Sequence, residues 1–130
     1  MLLDTSGLLC LYHQSEPLHH QAVQAYKVTQ VRLTHSYVLA EFVALATARR
    51  FPRVLVLDYL DALMDNPDID LVWINERVHR EAFALLLARN DKEYSLCDAV
   101  SFVLMRQRNL LQALTTDKHF EQEGFVRLLR

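Results

Sequence analysis

Four acidic residues stand alone in segments that otherwise belong in a protein interior. Asp4 is the only charge in MLLDTSGLLCLYH, and Glu41 is the only charge in YVLAEFVALATA. Asp98 opens the apolar run DAVSFVLM, and Asp117 ends the apolar and β-branched stretch over residues 114–116. None has a Lys or Arg beside it within its own segment. A buried carboxylate without a partner is costly and goes neutral unless a cation compensates it. Four of them, with no matching buried base, imply a shared cation that the sequence does not encode.

Each acid also has a plainer reading. Asp4 suits the N-cap of the helix that follows it, and Asp117 suits the N-cap of a short helix from Lys118. Asp98 stands three residues after Ser95, the spacing of a capping box. Glu41 breaks the pattern, because it lies mid-helix among Tyr37, Val38, Ala44 and Leu45, where no cap is needed. Capping therefore does not explain the set. His13, His19, His20, His35 and His119 read as surface or loop histidines, none with a partner at ligand spacing. Cys97 adjoins Asp98 but has no evident activating His, which argues against a thiol nucleophile.

The elements that must position these residues alternate between strand and helix. Strands are expected over 1–3, 31–34, 69–74, 114–116 and 126–129. Helices are expected from Thr5 to Tyr12, over 18–28, over 37–50 with Ser36 as cap, over 54–64, over 76–88, and from Ser95. That alternation predicts an α/β fold, a three-layer α/β/α sandwich with a mainly parallel central sheet, and one domain over residues 1–130. Ligands of such folds gather beyond the carboxyl ends of the strands, where Asp4 and Asp117 fall.

Composition narrows the function further. Only Gly7 and Gly124 are present, so there is no G-x-G-x-x-G and no P-loop, and nucleotide-cradling readings are poor. Apolar residues make up 52% of the 130-residue chain, enough for a sizeable core, yet no run reaches the roughly 18 residues of a membrane span. The N-terminus does not resemble a signal peptide, and Cys10 and Cys97 fit no metal or redox spacing, so a cytoplasmic protein with reduced thiols is expected. The net charge of −2 argues against binding nucleic acid through overall charge.

With these residues in view the chain resembles the PIN-domain family, in particular its small VapC-like toxin ribonucleases. The resemblance rests on D-T-S at Asp4 to Ser6, the apolar helix centred on Glu41, S-L-x-D-x-x-S from Ser95 to Ser101, and T-x-D-x-H-F from Thr115 to Phe120. It implies a PIN-like fold and an endoribonuclease, with Asp4, Glu41, Asp98 and Asp117 as the acidic metal-site residues and Ser6, Ser101 and Thr115 as supporting hydroxyls. Cys97 stands where the family commonly has Thr. Oxygen donors with no Cys or His select Mg²⁺ or Mn²⁺. The implied partners are an RNA substrate and a cognate antitoxin protein. The alternative is a non-cleaving PIN-like module that binds RNA or protein. An aspartyl-phosphate mechanism at Asp4 is disfavoured, since Ser6 stands where the second Asp of a D-x-D would be. Finally, the helix over 54–64 carries more apolar residues than one buried face needs, which predicts a surface patch for a homodimer or for the antitoxin.

Overall fold

The computed structural model describes residues 1–130. In chain order the elements are β1 (Leu2–Leu3), α1 (Thr5–Tyr12), α2 (His19–Val28), β2 (Leu33–His35), α3 (Ser36–Ala48) and α4 (Arg53–Met64). They continue with β3 (Asp70–Val72), α5 (Glu76–Ala88), α6 (Leu96–Gln107), β4 (Gln112–Leu114), α7 (His119–Gln122) and β5 (Val126–Arg127). The five strands form one sheet in the order β3-β2-β1-β4-β5, and every neighbouring pair is parallel. No helix is long and apolar enough to cross a membrane.

Strand alternation sorts the core into two layers. Leu3 and Leu114 point to one face, where they meet Leu8, Ala22, Phe42 and Leu60 from α1 to α4. Leu2 and Ala113 point to the other, against Val78, Phe102 and Phe120 from α5 to α7. Because successive strand residues face opposite sides, a strand of two residues is enough to feed both layers. The expected α/β/α sandwich is therefore present, with helices on both faces of a parallel sheet.

Several boundaries differ from the sequence reading, for physical reasons. The strand expected over 114–116 is Gln112–Leu114, in register with Leu2 and Leu3 of β1. Asp117 consequently lies three residues past the strand, in a loop. The strand expected over 31–34 is Leu33–His35, set by its three-residue register with β3, so His35 is fully buried and not in a surface loop. Ser36 does not cap α3. His35 is the N-cap residue, and the Ser36 hydroxyl accepts from the Ile74 backbone N–H at 3.0 Å, tying α3 to the end of β3. The outer strands are shorter than expected, Asp70–Val72 and Val126–Arg127.

One contact fixes how α1 leaves the sheet. Asp4 N–H donates to the Leu114 carbonyl at 3.2 Å, and α1 then passes directly over the end of β4. A Cβ on Gly7 would lie 1.9 Å from the Leu114 carbonyl oxygen, closer than any two such atoms approach. Only glycine permits that crossing. Gly7→Ala must therefore push α1 off the strand, and a destabilisation of about 3 kcal/mol or more is expected. A urea midpoint equal to that of the wild type would contradict this close approach.

Candidate active site

Asp4 sits at the junction of β1 and α1 with an extended backbone, φ −85° and ψ 167°. It is the N-cap residue by position, yet its side chain makes no cap hydrogen bond. The carboxylate instead reaches across to the loop after β4, where Thr115 Oγ1 donates to Asp4 Oδ2 at 2.8 Å. Thr115 has one hydroxyl proton, so its other contacts must be accepted ones. Asp117 N–H donates to Thr115 Oγ1 at 3.0 Å, and the Ser6 hydroxyl, 3.2 Å away, supplies the remaining donor. Ser6 Oγ in turn accepts from the Thr116 N–H at 2.9 Å. Ser6 and Thr115 thus stitch the loops after β1 and β4 into one rigid floor.

Asp98 lies in the first turn of α6 and completes a reciprocal capping box with Ser95. Its N–H donates to Ser95 Oγ at 3.0 Å, and its Oδ2 accepts from Ser95 N–H at 3.1 Å. The structural role and the site role coincide, because the cap fixes where the carboxylate stands. Asp117 closes a tight turn by accepting the His119 N–H on Oδ1 at 2.9 Å. Asp4, Glu41, Asp98 and Asp117 all line one open cleft of about 420 Å³, together with Ser6, Glu93, Ser95, Thr116 and His119.

The supposition that all four acids are buried holds for two. Asp4 is 4% and Asp98 7% exposed, whereas Asp117 is half-buried and Glu41 is exposed. Phe42 and Ala46 of α3 turn into the core, which leaves Glu41 and Leu45 to face the cleft. Ser101 is not in the cleft wall. Its hydroxyl is fully buried and lies 2.8 Å from His35 Nε2, one layer beneath the site. Burial holds His35 down to a pKa of about 3, so that ring is neutral.

His119 is the residue that sequence reasoning missed. Its Nδ1 lies 3.0 Å from Asp98 Oδ2 and 3.3 Å from Asp117 Oδ2. The Tyr94 ring packs edge-on against the imidazole at 5.4 Å, and Tyr94 is anchored through its hydroxyl to Glu123. Asp98 is 21 residues away on another element, so no spacing rule links the pair; the only local signal was D-x-H at Asp117 to His119. The statement that no His accompanies the acids is accordingly corrected.

The donor atoms gather in two groups, Asp4 with Glu41 and Cys97, and Asp98 with Asp117 and His119, each within 4.8 Å. Asp4 Oδ1 is buried with no hydrogen-bond partner. An orphaned carboxylate oxygen beside three further carboxylates fits a hard divalent cation. Cys97 does not compete as a nucleophile. Burial first, then the charges of Glu41, Asp4 and Asp98, push its thiol far up, so it stays protonated.

Burial also raises the Asp4 carboxyl to about 7, helped by Asp98 and Glu41 and opposed by the Thr115 hydrogen bond. Between 3.8 and about 7 the folded chain keeps a proton that the unfolded chain has released. This contribution to stability is complete below the unfolded value and is lost as pH rises through the folded one. Metal-free protein should therefore lose up to roughly 4 kcal/mol between pH 4 and pH 8 from this group. Asp4→Asn should stay folded and flatten the slope in urea titrations run with a chelator. A wild type that gains stability over that range would show Asp4 to be charged throughout.

Comparison with known proteins places the chain in a family. The chain is 26% identical to the 23S rRNA-specific endonuclease VapC20 of two Mycobacterium tuberculosis strains, CDC 1551 / Oshkosh and ATCC 25618 / H37Rv. The alignment runs over 127 residues, covering 97% of this chain and 95% of VapC20. The crystal structure of Mycobacterium tuberculosis VapC20, described as a sarcin-ricin loop cleaving toxin, superposes with a TM-score of 0.89. That superposition covers 99% of this chain and 98% of the other at 24% identity, a likeness of fold. The PIN-domain family model matches residues 1–125, and the chain belongs to the PIN-domain family.

Proposed function

We propose that this protein is a metal-dependent endoribonuclease that hydrolyses RNA phosphodiester bonds in the cytoplasm, as the toxin of a toxin–antitoxin pair. The observation that carries the reading is the single cleft holding Asp4, Glu41, Asp98 and Asp117 at the carboxyl edge of a parallel sheet, with Asp4 Oδ1 unpartnered. Similarity over nearly the full length to a protein named as a 23S rRNA-specific endonuclease supports RNA as the substrate class. Mg²⁺ or Mn²⁺ suits the oxygen donors. Such an ion lowers the pKa of a bound water and neutralises charge at a scissile phosphate.

The chain's own groups set the geometry for that chemistry. Thr115 holds Asp4 through Oδ2 and leaves Oδ1 free to ligate. The capping box holds Asp98, with its backbone locked in the first turn of α6. Glu41, exposed on α3, and Asp117, on the loop after β4, line the same cleft, and in this reading they complete the ligand set or orient the attacking water. His35 and Ser101 support α6 from below.

Saturating Mg²⁺ or Mn²⁺ should raise the melting temperature, since a ligand bound only to the native state adds RT ln(1 + [L]/Kd). Asp98→Asn keeps an oxygen for the cap but should remove most of that shift and lower RNA cleavage by orders of magnitude. An equal thermal shift in both proteins would place the ion elsewhere, and metal-independent binding of RNA without cleavage would favour the non-cleaving module.

The partner surface rests on α4. Val56, Leu60 and Leu63 are buried in the core, while Val54, Leu55, Leu57 and Met64 are between 41% and 71% exposed. A homodimer contact or an antitoxin helix would cover this apolar strip. Leu60 is an unsuitable probe, because its substitution would damage the core. Replacing Leu55 and Leu57 by Ser should weaken self-association or antitoxin binding at least ten-fold, read by sedimentation and by titration with the partner. Metal-dependent cleavage should be nearly unchanged. A clean monomer of the wild type at high concentration, with antitoxin affinity unaffected by the substitutions, would refute this use of the strip.

A further inference from the structure

The acids alone predict an all-oxygen centre, but the structure brings an imidazole nitrogen into it. His119 Nδ1, Asp98 Oδ2 and Asp117 Oδ2 converge from the start of α7, the first turn of α6 and the loop after β4. Ligands at about 2.1 Å from an octahedral ion stand about 3.0 Å apart at adjacent corners. The observed separations from Nδ1, 3.0 Å to Asp98 Oδ2, a hydrogen-bond distance, and 3.3 Å to Asp117 Oδ2, match the spacing of neighbouring corners as well. The ring is not free to drift. Tyr94 packs against it at 5.4 Å, the His119 backbone N–H is fixed on Asp117 Oδ1, and the Tyr94 hydroxyl is held by Glu123 at 3.1 Å. Glu123 is itself clamped by Arg89 and Arg106. The same cleft holds the second pointer to an ion, the buried and unpartnered Asp4 Oδ1.

We propose that His119 is a ligand of this metal centre through Nδ1, and that it biases the site toward Mn²⁺ over Mg²⁺. The proposal deepens the nuclease reading and rests on it. Imidazole suits first-row transition ions, whereas Mg²⁺ prefers oxygen and parts with its waters reluctantly. The arrangement places one nitrogen at a fixed distance from two carboxylates on different elements.

The test uses the whole chain loaded with Mn²⁺ and reads coordination without turnover. Pulsed electron paramagnetic resonance of the wild type should show coupling of Mn²⁺ to a directly bound nitrogen, which changes isotope signature when histidine is labelled with ¹⁵N. His119→Asn places an amide oxygen near the former Nδ1 position and should abolish that coupling. Its Mn²⁺ affinity, measured calorimetrically, should fall ten-fold or more while its Mg²⁺ affinity changes less than three-fold. Bound Mn²⁺ without nitrogen coupling in the wild type, or coupling that persists in His119→Asn, overturns the assignment of His119 and leaves the acidic site standing. Mn²⁺ that fails to bind, or binds equally well to Asp98→Asn, overturns the metal centre and this inference together. The wild-type spectrum decides the question even if the variant does not fold.

Discussion

The Thr115 hydroxyl is the interaction on which the arrangement of the site depends. One oxygen donates to Asp4 from the β1–α1 junction, accepts from the backbone of Asp117, and meets Ser6 of α1. Its single proton gives the network a direction, from Ser6 to Thr115 to Asp4. Asp4 Oδ1, which is buried, takes no part in this network and has no hydrogen-bond partner. The network also needs β1 and β4 side by side, as the register Leu3 to Leu114 provides, and it needs α1 to cross β4 closely, as Gly7 allows. Sheet topology, one glycine and two hydroxyls therefore act on the same few ångströms.

Holding these carboxylates together works against the fold. Like charges about 4 Å apart repel by about 4 kcal/mol at an effective dielectric near 20. The Asp4 carboxyl is raised chiefly by burial, and the charges of Asp98 and Glu41 add to the shift. Elsewhere the chain treats a buried acid differently. Glu123 is 9% exposed and receives Arg89, Arg106 and Tyr94, which hold its carboxyl below the ordinary range against the effect of burial. The same protein thus compensates one buried acid fully and leaves a cluster under-compensated. The contrast separates an acid that serves the fold from acids that, under the proposed function, hold a cation.

Much of this was legible in the sequence because its signals were local or periodic. Alternation of short apolar runs with amphipathic helices announced the parallel sheet, and Ser95 with Asp98 announced the capping box. Asp4, Glu41, Asp98 and Asp117 were found because each is a lone charge in an apolar segment. That criterion worked for Glu41 for a partly wrong reason: α3 is apolar on two sides, yet its Glu41 face opens to the cleft. His35 and His119 were misread because their surroundings are tertiary. His35 is buried by strand register, and His119 meets Asp98 only when α7 folds back beside α6. Strand ends moved by one or two residues because ladder pairing, and not side-chain type, decides where a strand of two or three residues stops.

His119 also changes what the acidic cluster requires. Four carboxylates without any cation would demand an ion for the fold itself, and the metal-free chain would then be hard to keep folded. A donor nitrogen between Asp98 and Asp117 gives these two a partner in the absence of metal, while Asp4 answers the same problem by holding a proton. The two devices divide the cleft into halves, Asp4 with Glu41 and Asp98 with Asp117. An RNA phosphate entering the cleft would face the exposed Glu41 and the half-buried Asp117. With a net charge of −2, overall attraction does not offset that repulsion. Under the proposed function, a cation held by these carboxylates would offset their repulsion of the phosphate.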